Sequence, residues 1–346
     1  MKIFIKTIVL ISMFNIPLQI FANNKIVQKE EINIYTSRHY EVDKKLYENF
    51  EKQENVKVNV LFIKEAAQIF ERLKREGKHS PADVVLTVDA GSIWKAEQDN
   101  LFQPISSATI AQRLPESLRS DKNNWVAVSM RGRVIAYNKE KLKGNEIDTY
   151  ENLANNNWKH KLLIRSSHNV YNQSLVAGFL NANGEKATTE WLKNVSGNLA
   201  RTPEGGDTDQ LLALANNVGE MAVVNTYYYA RMLNSNETKF RSAANKIGII
   251  FPNQKNRGAH VNISTAALAK YAPNKEKAIK FIEFLLTKES QTMIMNENYE
   301  YPVTIDVEWN KTLQELGKAK FDLDGIKQIG SNSLEALKLL DKYGWR

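Results

Sequence analysis

The sequence contains no cysteine. That excludes disulfides, zinc–thiolate sites, iron–sulfur clusters, a cysteine nucleophile and a lipid-modified N-terminal cysteine. It leaves the redox compartment open, because a chain of 346 residues builds a core that needs no staples. Histidine is scarce, 5 in the whole chain, which argues against copper and zinc. No Gly-x-Ser-x-Gly elbow, His-Glu-x-x-His or P-loop signature is present, so an enzyme such as a secreted hydrolase has no motif to rest on. Charge of one sign is not concentrated either. The formal charge is +8, yet basic residues interleave with acids, as in Glu48-Asn49-Phe50-Glu51-Lys52. The clustered basic footprint of a nucleic-acid binder is therefore missing. After the N-terminus, no stretch reaches the roughly 18–20 apolar residues of a membrane span.

The N-terminus has a different pattern. Lys2 and Lys6 precede an apolar stretch from Ile8 to Phe21, broken by Ser12, Asn15, Pro17 and Gln19, and Ala22 is followed by Asn23, Asn24 and Lys25. That order is expected for a secretory signal peptide, residues 1–22, cleaved near Ala22. Its removal leaves +6 of the +8. The mature protein is expected to be soluble, exported and free of a membrane anchor. The lack of a lipid-anchor cysteine favours a Gram-negative periplasm.

The body alternates strand and helix. Ile32–Tyr35 has a strand pattern, and Val42, Leu46 and Phe50 follow at helical spacing. Val56–Phe62 alternates, Ala66, Ile69, Phe70 and Leu73 recur at helical spacing, and Ala82–Val88 is an apolar run. This βαβαβ order predicts an α/β fold with mainly parallel sheets flanked by helices. The length predicts two lobes. Val126–Tyr137 is too long for an ordinary strand of about 5–6 residues and is expected to cross between lobes as a hinge strand. Asn262–Leu268 is expected to return to the first lobe. Pro273 is expected in the first turn of an amphipathic helix, and roughly the last 40 residues are expected as helices on the second lobe.

Tyrosine, 13 in number, is where chemistry concentrates. His39-Tyr40, Tyr171 and Tyr227-Tyr228-Tyr229 each follow a strand end, where ligands bind in such folds. A helix turns about 100° per residue, so two of three consecutive tyrosines can converge while the third diverges. Asn225 or Thr226 is placed to cap that helix. Phenols are normally neutral, but a highly charged cation deprotonates its ligands, and hard oxygen donors suit hard cations. An aromatic cage for a quaternary ammonium is the rival use of such rings.

Three motifs carry a resemblance in combination: Tyr35-Thr36-Ser37-Arg38-His39-Tyr40, Ser166-Ser167-His168-Asn169-Val170-Tyr171-Asn172-Gln173-Ser174, and Asn225-Thr226-Tyr227-Tyr228-Tyr229. From about Ile32 to Val303 the chain resembles the periplasmic ferric-iron-binding proteins, solute-binding components of bacterial iron ABC importers. It is most similar to the tyrosine-rich branch that needs no bound anion. The resemblance implies a type II periplasmic binding fold with hinge strands between an N-terminal lobe, residues 31–130 plus 256–304, and a C-terminal lobe, residues 131–255 plus 305–346. It implies Fe3+ as transported ligand, held by Tyr40, Tyr171, Tyr227 and Tyr228 with His39 as fifth ligand, and Tyr229 packed into its lobe. Other branches carry a glutamate ligand where Asp89 stands, and the shorter Asp89 is expected beyond the first shell at best. Carbonate-binding branches use an arginine near Arg131-Gly132-Arg133; here Arg131 and Arg133 either offset surplus phenolate charge or line the hinge. The implied protein is a monomer, no enzyme, and its partner is an ABC permease. The alternative within the fold is a binding protein for an organic cation or a phosphonate.

Overall fold

The computed structural model describes residues 30–346, so the expected signal peptide lies outside the described residues. The strands among them are β1 Glu31–Thr36, β2 Lys57–Phe62, β3 Val84–Thr87, β4 Trp125–Asn138, β5 Leu162–Ile164, β6 Met221–Asn225, β7 Ile247–Ile250 and β8 Val261–Leu268. Their hydrogen-bonded order is β2-β1-β3-β8-β4-β6-β5, with β7 also on β4. The expected parallel pairing holds for β2-β1-β3 and for β5-β6, while the long strands β4 and β8 run antiparallel to their neighbours. Helices flank the sheet, as the alternation predicts.

β4 is the 14-residue strand anticipated from Val126–Tyr137. Its first part, Trp125–Gly132, pairs with β8, and its second part, Arg133–Tyr137, pairs with β6. One strand thus belongs to two sheets. Near-complete burial along its length explains the apolar stretches on both sides of Arg131-Gly132-Arg133. Two apolar clusters follow. The larger joins Ile32, Ile34, Leu46 and Phe50 with β8 and the Val170–Gly197 helical run. The smaller gathers Val134, Leu163, Leu211, Val224 and Tyr229.

Two local expectations change, and one strand pattern gains its place in the sheet. Pro273 precedes the helix Lys275–Leu285 rather than sitting in its first turn. Asp83 holds Asn274 outside that helix, accepting its backbone N–H at 2.7 Å and its side-chain amide at 3.1 Å. The alternation in β2 marks a strand but not an inner face. β2 lies at the sheet edge, and Val60 and Phe62 are exposed. The final helix, Gly325–Tyr343, packs not only on the Val170–Gly197 run but also on the helix Ala90–Gln98. Gly330 permits that second contact, since a Cβ there would lie 2.1 Å from Trp94.

Candidate metal centre

Each tyrosine of the set stands at the start of a helix. Tyr40 is the N-cap of Glu41–Glu54, Tyr171 is the second residue of Val170–Gly197, and Tyr227 and Tyr228 follow Thr226 in Thr226–Leu233. Strand ends deliver the chain to these points: β1 before Tyr40, β5 before Tyr171, β6 before Tyr227. Helix N-termini carry partial positive charge, which favours a phenolate over a phenol. The starts are fixed locally. The backbone N–H of Tyr40 donates to Asp43 Oδ2 at 3.1 Å, and that of Tyr171 donates to Asn169 Oδ1 at 3.0 Å. Asn225 is the N-cap of the third helix by position, but its Oδ1 accepts Arg133 Nη1 at 3.1 Å instead of a helix N–H.

The rings converge. Tyr171 and Tyr227 have their hydroxyls 3.3 Å apart, the Tyr40 and Tyr227 ring centres are 6.1 Å apart, and those of Tyr227 and Tyr228 are 4.2 Å apart. Tyr229 turns away into the smaller core and donates to the carbonyl of Ile247 at 3.0 Å. Divergence at about 100° per residue accounts for that split. His39 is exposed, with its ring 5.5 Å from that of Tyr40 and 5.8 Å from that of Phe62.

Arginines surround the phenols. The Arg38 guanidinium lies 4.8 Å from the Tyr40 ring centre, Arg131 5.4 Å and Arg165 5.5 Å from Tyr171, and Arg231 5.0 Å from Tyr227. Two of them share a fully buried acid: Glu300 stands 3.4 Å from Arg38 and 3.3 Å from Arg131. Burial pushes the Glu300 carboxyl up, but Arg38 and Arg131 outweigh it and hold the group below the usual carboxylate range. The pairing of Glu300 with Arg38 gave no signal in the sequence, because 262 positions separate the two and no short motif contains both. Glu300→Gln should destabilise the metal-free protein by about 3–5 kcal/mol, since it strips charge from a buried pair. Urea unfolding checks this, and a variant as stable as the parent would mean that the pair is dispensable.

The other two candidates lie around the phenols rather than among them. Asp89 caps the helix Ala90–Gln98: Oδ2 accepts the Ser92 backbone N–H at 2.7 Å, and Oδ1 accepts the Asn262 amide at 2.7 Å. Arg133 donates to Asp207 and Asn172, each at 2.7 Å, and so ties β4 to two helix starts.

Burial pushes the hydroxyls of Tyr40 and Tyr227 well above the ordinary phenol value, reinforced by the other phenols. Burial also pushes Tyr228 up to about 12. A largely buried, arginine-framed nest of phenols is thus poised for a hard, highly charged cation, which inverts the preference of Tyr40, Tyr227 and Tyr228 for the protonated form. Among the described residues no group of three or more His, Cys, Asp or Glu is placed to hold a metal, so oxygen from tyrosine is the donor on offer.

The family model described as "Bacterial extracellular solute-binding protein" matches residues 79–327. This chain belongs to that family. The solute-binding protein is 43% identical over 319 residues to "Iron uptake protein A1" of Synechocystis sp., covering 92% of this chain and 88% of the relative. It superposes with TM-score 0.86 and 44% identity on a Trichodesmium protein solved in complex with iron and citrate, over 91% of this chain and 100% of the other. It superposes with TM-score 0.87 and 38% identity on the ferric binding protein from Campylobacter jejuni, again over 91% and 100%. The type II periplasmic binding fold anticipated from the sequence is the fold of these structures.

Proposed function

We propose that this solute-binding protein captures ferric iron outside the cytoplasm and delivers it to an ABC permease for uptake. The observation that carries the reading is the convergence of Tyr40, Tyr171, Tyr227 and Tyr228 at three helix starts, framed by arginines. Similarity to an iron uptake protein and to a protein solved with iron and citrate supports it. In this reading Tyr40, Tyr171, Tyr227 and Tyr228 are the ligands. Four phenolates around a trivalent ion leave one negative charge, which Arg131 is placed to offset. In the same reading His39, whose ring centre lies 5.5 Å from that of Tyr40, adds a nitrogen ligand at the rim.

The lobes of this reading are residues 31–130 plus 256–304 and residues 131–255 plus 305–346. The change of pairing partner between Gly132 and Arg133, two residues past the 130/131 boundary, supports a division within β4. His39 and Tyr40 then face the other tyrosines across a cleft, and the ion favours closure because only the closed form completes its shell. Reduction weakens phenolate binding, and acid protonates the ligands, so either promotes release. No bond in a substrate is made or broken. Residues 1–22 serve as export signal, the mature chain acts as a monomer in the periplasm, and no described helix is long and apolar enough to cross a membrane.

Titration of the purified protein with ferric citrate tests the function. A ferric–phenolate charge-transfer band should rise and saturate at one iron per chain. A protein that stays colourless and fails to compete with citrate for the metal is not a ferric carrier.

A further inference from the structure

A hydrogen-bond relay lies beside the tyrosine nest and joins the two lobes of the iron reading, on which this inference rests. Its centre is Asn262, near the start of β8 and 4% exposed. Asn262 Oδ1 accepts the backbone N–H groups of Ala90 at 3.0 Å and Ile263 at 2.8 Å. Backbone N–H groups can only donate, so the orientation of this amide is fixed. Its NH2 therefore points the other way, donating to Asp89 Oδ1 at 2.7 Å and to Ser174 Oγ at 2.8 Å. Having accepted there, the Ser174 hydroxyl has its own proton free for His260 Nε2, 2.8 Å away. Burial first, then Arg133 and Arg257, lower His260 to about 3, so the ring is neutral and able to accept. Ser174 is 3% exposed.

The placement of these residues gives the relay a role. Asp89 and Ala90 start a helix of the first lobe. Ser174 lies one turn beyond Tyr171 on a helix of the second lobe, so it moves with that ligand. One turn further, Gly178 seats the helix on the same histidine, since a Cβ there would lie 2.9 Å from His260 Nδ1. The bare Gly178 surface lets Ser174 reach the hinge.

We propose that Ser174 and Asn262 form an interlobe latch: Ser174 is a positioning residue that holds the Tyr171 helix against the first lobe and sets how long the ion stays bound. The latch contacts no metal. It acts on the balance between open and closed lobes, and any closure free energy it supplies appears directly as slower release.

Ser174→Ala removes both bonds and only one buried atom. Three measurements test it on the mature chain: small-angle scattering of the metal-free protein, thermal unfolding, and release of ferric iron to excess EDTA. The expected variant keeps the parental charge-transfer band and melts within a few degrees of the parent. It gives a larger radius of gyration and releases iron at least about five- to tenfold faster, a factor that one of the two lost hydrogen bonds already supplies. Ser174→Thr, which keeps the hydroxyl, should restore the parental radius and release rate. An unchanged radius together with an unchanged release rate overturns the latch. If the parent binds no iron, the iron reading fails while scattering still decides the latch.

Discussion

Tyr227→Phe should purify as a folded, colourless protein that no longer competes with citrate for ferric iron. The substitution removes one oxygen from a ring that is only 1% exposed, so it leaves the packing in place. Loss of groups that merely orient metal ligands costs about 10–100-fold in affinity. Loss of a phenolate ligand should exceed the upper end of that range. Tyr228→Phe should behave alike. Tyr229→Phe is the internal control. Its hydroxyl bonds the carbonyl of Ile247, so the cost should fall on stability rather than on metal. His39→Ala should weaken binding less than either ligand tyrosine, because His39 is exposed at the rim. Isothermal titration against citrate and the visible band read all four. Iron binding equal to the parent in both Tyr227→Phe and Tyr228→Phe would sink the ligand assignment.

The second large effect is proton release. Burial raises Tyr40 and Tyr227 well above the usual phenol value and raises Tyr228 to about 12, so all three hydroxyls hold their protons at neutral pH. Binding as phenolates must displace those protons. Affinity should therefore rise with pH, by about tenfold per pH unit for each proton released, or roughly a thousandfold per unit for three. The sign is set by the metal-free state, which binds more protons than the loaded one, so acid favours release. A pH indicator in weak buffer should record at least three protons per ion. Uptake without proton release would contradict phenolate ligation.

Much of this site was legible because its tyrosines follow strand ends, where local pattern is informative. Val126–Tyr137, too long for an ordinary strand, falls inside the single 14-residue strand β4. The helical turn angle showed that two of Tyr227, Tyr228 and Tyr229 could converge, and the family resemblance pointed to Tyr229 as the one that diverges. What stayed hidden is everything assembled across long sequence distances. Glu300 gains its meaning from Arg38 and Arg131, and Asp207 from Arg133 and Arg165. No periodicity encodes such pairs. Asp89 was noticed as standing where similar proteins carry a glutamate, but its task as Asn262 acceptor depends on a residue 173 positions away. β2 shows the opposite limit: its alternation was plain, yet only the sheet order reveals that it is an edge.

β4 has a mechanical consequence. A clamp joined by loose linkers opens freely and can be cut in two. Here the connection is a strand, hydrogen-bonded to β8 over its first part and to β6 over its second, with almost every residue buried. Cleft opening must then come from twist spread along a stiff ribbon. Such a joint works like a torsion spring, with a preferred angle and a restoring force. The protein offers a protease no exposed seam at β4, and neither half is a module that could be excised and expected to fold alone.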